Sequence, residues 1–152
     1  MTRRLLDRDN NITEELIIKG NYVRLVTPLE DGGFFLCVNR KIVRTDAGLS
    51  ECCRYRARGF KHAWKALPLE DGKVLVSAGY GAFMAFFTDE GDLIRTFGRK
   101  GSVPREVRPY FYATFDMAVD GNILVANWQG HGTENGNKGR QLLCFSGSGE
   151  YL

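Results

Sequence analysis

Apolar residues along this chain fall in short runs, each cut off by a small polar turn. Three of these runs, Gly33 to Val38, Lys73 to Ser77 and Asn122 to Ala126, follow a recurring phrase. The phrase reads Pro28-Leu29-Glu30-Asp31-Gly32, then Pro68-Leu69-Glu70-Asp71-Gly72, and more loosely Met117-Ala118-Val119-Asp120-Gly121. Asp-Gly between two apolar runs is a hairpin signal, because glycine takes a positive φ at no steric cost. Gly72 and Gly121 are therefore expected at positive φ. The second half of each unit repeats as well. Lys41 to Arg44 leads through Thr45-Asp46-Ala47-Gly48 to Leu49 to Tyr55; Phe83 to Phe87 leads through Thr88-Asp89-Glu90-Gly91 to Asp92 to Phe97; and Gln141 to Phe145 leads through Ser146-Gly147-Ser148-Gly149 to Glu150 to Leu152.

Each unit thus holds four strands, a to d in chain order, joined by turns. The Asp-Gly pairs begin at 31, 71 and 120, a period that belongs to arrays of four-stranded blades. The opening residues, Arg3 to Gly20, match strands c and d of a preceding unit. The expected fold is all-β: a β-propeller fragment of about three and a half four-stranded antiparallel blades. One partial domain covers 1–152, divided into a half blade (1–20), two blades (21–60 and 61–100) and a blade with long loops (101–152). A blade buries its two faces only against neighbours, so the chain reads as a piece of a longer protein. Its ring would be completed by remaining blades or, less simply, by a second copy.

Composition changes this picture little. Hydrophobic residues at 43% and charged residues at 26% fit a folded domain, and eighteen Gly against four Pro fit a turn-rich one. A net charge of +3 is too mild to argue for nucleic acid. Arg54, Arg56 and Arg58 share one face of an outermost strand, where charge guards an edge against aggregation. No apolar run is long enough for a membrane span. Cys37, Cys52, Cys53 and Cys144 form no Cys-x-x-Cys pair, and neither a metal nor a cofactor is called for. Reduced cysteines weakly favour a cytoplasmic compartment, although a fragment leaves export open.

The most specific string is Asn127-Trp128-Gln129-Gly130-His131-Gly132, which opens a connection between strands b and c far longer than a hairpin needs. Its glycines let backbone approach a ligand, Trp128 offers an apolar platform, and His131 is a titratable donor or acceptor. The bland alternative is a mobile insertion whose Trp packs on its own blade. With the repeated Asp-Gly turns and Asp120 to Asn127, the chain resembles propellers of the NHL, pyrroloquinoline-repeat and gluconolactonase-like kind. The Asn-Trp-Gln-Gly-His-Gly string looks like one in poorly characterised bacterial propeller proteins. The resemblance implies that strand a lines the central channel and that the d-to-a and b-to-c loops share the ligand face. The calcium-binding carboxylates of a gluconolactonase-like hydrolase are missing.

On that face the expected ligand-binding residues are Trp128, His131, Asn127, Arg108, Tyr110, Tyr80, His62 and Trp64, with positive character added by Arg99, Lys100 and Arg105. Aromatic and cationic groups together suit a small-molecule or carbohydrate ligand, acidic molecules included. The chain therefore reads as a non-catalytic ligand- or partner-binding module. The alternative is a propeller enzyme of lactonase, lyase or quinoprotein type, with His131 as base or metal ligand and Asp116, Asn127 or Asn39 as channel-facing groups. Only two histidines exist, which makes a thin catalytic inventory.

Overall fold

The computed structural model describes residues 2–6, 8–17, 23–38, 40–131 and 133–152. It contains thirteen strands in chain order: β1 (Thr2–Leu6), β2 (Ile12–Ile17), β3 (Val23–Pro28), β4 (Phe34–Val38), β5 (Lys41–Thr45), β6 (Glu51–Tyr55), β7 (Lys65–Pro68), β8 (Lys73–Ser77), β9 (Met84–Thr88), β10 (Leu93–Phe97), β11 (Phe111–Met117), β12 (Ile123–Trp128) and β13 (Leu142–Phe145). Among the described residues, β1 and β2 form a two-stranded sheet. β3 to β6 and β7 to β10 form four-stranded antiparallel sheets in sequential order, and β11 to β13 form a third. An isolated antiparallel bridge joins Phe145 to Tyr151 at its β13 edge. These are the blades of an all-β propeller.

The repeated phrase has one physical explanation in all three copies. The aspartate Oδ1 accepts a hydrogen bond from the amide two residues on: Gly33 N to Asp31 at 2.8 Å, Lys73 N to Asp71 at 3.2 Å, and Asn122 N to Asp120 at 3.0 Å. Between them sits the positive-φ glycine, at 82°, 75° and 80°. Gly32 N, Gly72 N and Gly121 N each donate to the carbonyl three residues back, closing a β-turn that ends on the left-handed glycine.

Several boundaries move by one residue from the sequence reading, and two move by two residues. β6 begins at Glu51 rather than Leu49, because Leu49 (φ 67°) takes the left-handed bulge position that glycine fills elsewhere. β12 continues through Asn127 and Trp128, because β11 begins at Phe111 and pairs Phe111 with Trp128 and Tyr112 with Asn127.

The core lies between blades. On β8, Val74 and Val76 point to the preceding sheet and Leu75 to the following one; on β9, Ala85 and Phe87 oppose Met84 and Phe86 in the same way. The middle sheet is apolar on both faces, as a blade between two neighbours must be. Phe35, Cys37, Ile42 and Tyr55 meet it from one side, and Tyr112, Phe115, Ile123, Val125 and Leu143 from the other. Tyr55 Oη donates to Asp89 O at 2.8 Å across one interface, and Tyr112 Oη donates to Gly98 O at 2.5 Å near the other. Burial raises both phenols well above the usual tyrosine range, so both remain donors at any working pH.

Candidate functional site

Antiparallel order puts every b-to-c and d-to-a connection at one end of the blades. Two of them are tied through backbone to each other and to the start of β11. Tyr80 N donates to Lys61 O at 2.9 Å, and Tyr112 N donates to Gly79 O at 3.1 Å. Gly79 stands at the centre of this knot with φ 58°, and a Cβ there would lie 2.0 Å from His62 O. Only glycine lets the three segments approach so closely.

An aromatic cluster grows on this knot. Phe111, 5% exposed, forms its centre. Trp64 meets it edge-on at 5.1 Å between ring centroids, Tyr80 lies 4.3 Å away, and Trp128 is at 5.6 Å. The line continues outward from Tyr80 to His62 (5.9 Å) and Tyr110 (6.1 Å), and from Trp128 to His131 (4.8 Å). Seven of the eight residues expected at the site are thus side by side or adjoining, counting Arg108 next to Pro109 and Tyr110. Tyr80 and Tyr110 are 41% and 49% exposed, so the outer rings present themselves to solvent.

Asn127 has a different place from the one expected. It is fully buried, and its Nδ2 donates toward Val107 O, Arg108 O and Arg140 O at 3.1, 3.3 and 2.8 Å, while Oδ1 accepts from Tyr110 N at 3.0 Å. Gln129 Nε2 adds a bond to Arg108 O at 3.0 Å. With its polar atoms occupied, Asn127 staples the d-to-a connection to the b-to-c insertion. Asn135 Nδ2 bonds His131 O within the insertion.

Held by these two amides, Arg108 sits at φ 46°, a strained value for a residue with a Cβ, as does His62 at φ 59°. Arg108 lines a cavity of about 620 Å³ with Lys100, Val103, Pro104, Arg105 and Pro109. Phe111, which organises the cluster, was not picked out from sequence. The available signal was its position at the start of a strand a, directly across from Trp128.

Of the groups expected for a catalytic site, Asp116 stands apart from His131. Asp116 lies five residues along β11 from Phe111, about 17 Å at a rise of ~3.4 Å per residue. Its carboxylate is 3.9 Å from Lys65 Nζ, which also donates to Phe115 O at 2.6 Å. It is out of reach of His131, so the two cannot serve one reacting atom. Asn39 lies outside the described residues. Among the described residues no group of three or more His, Cys, Asp or Glu stands close enough to hold a metal ion, and no helix is long and apolar enough to cross a membrane.

No family model matches the chain, and neither does any curated protein sequence. Solved structures do. A protein of unknown function from Bacteroides caccae superposes with a TM-score of 0.74 at 16% identity, over 99% of this chain and 57% of that one. A catalytically inactive virginiamycin B lyase from Staphylococcus aureus with quinupristin gives 0.67 at 18% identity, over 97% and 46%. The WD40 β-propeller domain of Doa1 gives 0.60 at 18%, over 76% and 37%. Identities this low show a shared fold, the β-propeller, and nothing finer. The chain spans about half the length of the first of these proteins and less of the others.

Proposed function

We propose that this protein is a binding module whose loop face takes a small acidic ligand carrying a ring, such as an acidic sugar. The aromatic cluster around Phe111 carries the reading: residues from two separate connections and the end of β12 converge on one buried ring, beside a cavity lined by Lys100, Arg105 and Arg108. Rings flat enough to accept a sugar face, next to guanidinium groups that can hold a carboxylate, are what such a ligand needs. The site is built rather than incidental, since Asn127 and Gln129 fix the Arg108 backbone and Gly79 fixes the base of the cluster.

Both tryptophans of the chain, Trp64 and Trp128, belong to the cluster, so intrinsic fluorescence reports on it directly. Titration with galacturonate should change that fluorescence saturably. Arg108→Ala should weaken binding by about tenfold to a hundredfold, the loss of one charge-assisted contact. His131→Ala should cost less than about tenfold, as befits one neutral hydrogen bond. A flat titration of the wild type would remove the reading. A substrate whose turnover fell by ~10² or more in His131→Ala with affinity unchanged would replace it with a catalytic one.

A further inference from the structure

Resting on the reading above, we infer that the ligand is an extended acidic oligosaccharide, held at two basic cavities with a sugar laid across Tyr80 and Tyr110 between them. The second cavity, about 350 Å³, is lined by Arg40, Gly59, Phe60, Lys61, His62 and Tyr80. It sits one blade back from the Arg108 cavity, on the same face. Tyr80 borders it, and Tyr110 adjoins Pro109 in the wall of the first. Tyr80 and Tyr110 touch, their centroids 6.1 Å apart, a span close to one sugar unit. From one cavity to the other the surface therefore reads cation, ring, ring, cation.

The charge of these cavities is open for use. Among the described residues, Arg40, Lys61, Lys100, Arg105 and Arg108 take part in no salt bridge, whereas Arg44, Arg54, Lys65 and Lys73 all do. The imbalance extends over the whole end of the molecule. In the three larger sheets, the b-to-c and d-to-a connections (39–40, 56–64, 78–83, 98–110, 129–141) hold ten Lys and Arg against Glu106 and Glu134. The turns at the opposite end (29–33, 46–50, 69–72, 89–92, 118–122, 146–150) hold ten Asp and Glu and no Lys or Arg. A ligand with several negative charges is drawn to the first end and repelled from the second.

A single-stranded nucleic acid also pairs charge with rings, but it needs aromatic faces on which successive bases stack along a continuous basic groove. Here Trp64 meets Phe111 at 84° and Tyr80 meets Tyr110 at 88°, so the rings make no parallel ladder, and the cations come in two separate clusters. Exposed single rings between discrete cation sites fit saturated sugars whose carboxylates recur at intervals.

The experiment compares galacturonate with tetragalacturonate by calorimetry, with cellotetraose and polyuridylate as controls, on wild type and on Arg40→Ala/Lys61→Ala. Two linked contacts should make the tetramer bind about 10²-fold tighter than the monomer. In the double variant that gain should vanish, the tetramer binding no tighter than the monomer does to the same variant. Arg40→Ala alone, a single exposed side chain, repeats the test should the double variant fold poorly. Equal affinities for monomer and tetramer in the wild type would overturn this inference and leave the single-site reading standing. So would a gain that survives in both variants. Cellotetraose binding as tightly as tetragalacturonate would show that charge is not read, and polyuridylate displacing tetragalacturonate with higher affinity would assign the face to nucleic acid. Absence of binding by monomer and tetramer alike would remove the underlying reading together with this one.

Discussion

At the scale of single residues, glycines that look alike in the sequence do different work. Gly72 and Gly79 both have positive φ, 75° and 58°, but nothing lies within 4 Å of a Cβ built at Gly72, whereas one at Gly79 would collide with His62 O. Gly72→Ala should therefore cost only the left-handed strain, about 1 to 2 kcal/mol. Gly79→Ala should cost clearly more, since backbone must move, and it should also disturb the tryptophan emission because Tyr80 and Phe111 rest on that knot. Urea unfolding of the two variants side by side checks this, and equal midpoints would refute the knot. The sequence marked Gly72 by its place in a repeated phrase. Nothing local marked Gly79, because its constraint comes from residues 62 and 112, far off in the chain.

Among the elements, turns and blade interfaces carry the chemistry. Asp31 is held below the usual carboxylate range chiefly by the Gly33 amide and then by Arg44; Asp71 is held down chiefly by the Lys73 ammonium. A carboxylate with a depressed folded pKa stabilises above its unfolded value near 3.8 and loses that contribution as pH falls through the lower, folded value. Stability should thus begin to drop on acidification below about pH 5 and go on dropping below the unfolded value near 3.8. Asp31→Asn keeps an acceptor for the Gly33 amide but not the attraction to Arg44, so it should flatten part of that slope. Urea midpoints measured across the range decide it. Arg44 also grips Asp89 of the next blade at 2.6 Å, so one guanidinium ties a turn of its own blade to the neighbouring blade. The cysteines divide by element too. Cys37 lies in β4 with its thiol pushed up to about 12 by burial, while Cys52 is exposed on β6. Iodoacetamide at neutral pH should modify Cys52 and spare Cys37 until the protein unfolds, as mass spectrometry of the labelled peptides would show.

For the whole molecule, the governing property is a charge axis parallel to the strands, which the net charge of +3 conceals. Acids recur in the Asp-Gly phrase and its partner turns, which all fall at one end, while Lys and Arg gather in the longer connections at the other. Anion binding at the loop face should accordingly weaken steeply with ionic strength, because the attracting charges are solvent-exposed and screened over about 10 Å at 0.1 M salt. Titrations of galacturonate at rising sodium chloride would show this. A salt-independent affinity would place the ligand away from that face.

The sequence by itself determined the strands, their order and the end of the blades at which each loop emerges. All three follow from local chemistry: an aspartate that bonds the amide two residues ahead, a glycine at positive φ, and apolar runs between them. Strand parity then carried Trp128, His131, Arg108, Tyr80, His62, Trp64 and Tyr110 to one face. Tertiary structure decided what these residues touch. Phe111 became the hub because register sets it opposite Trp128, and Asn127 became a buried staple because the insertion folds back on residues 107–110. Asp116 parted from His131 because a strand is long and the two occupy opposite ends of their blade. Contacts between residues distant along the chain depend on how neighbouring sheets pack, and no local pattern records that.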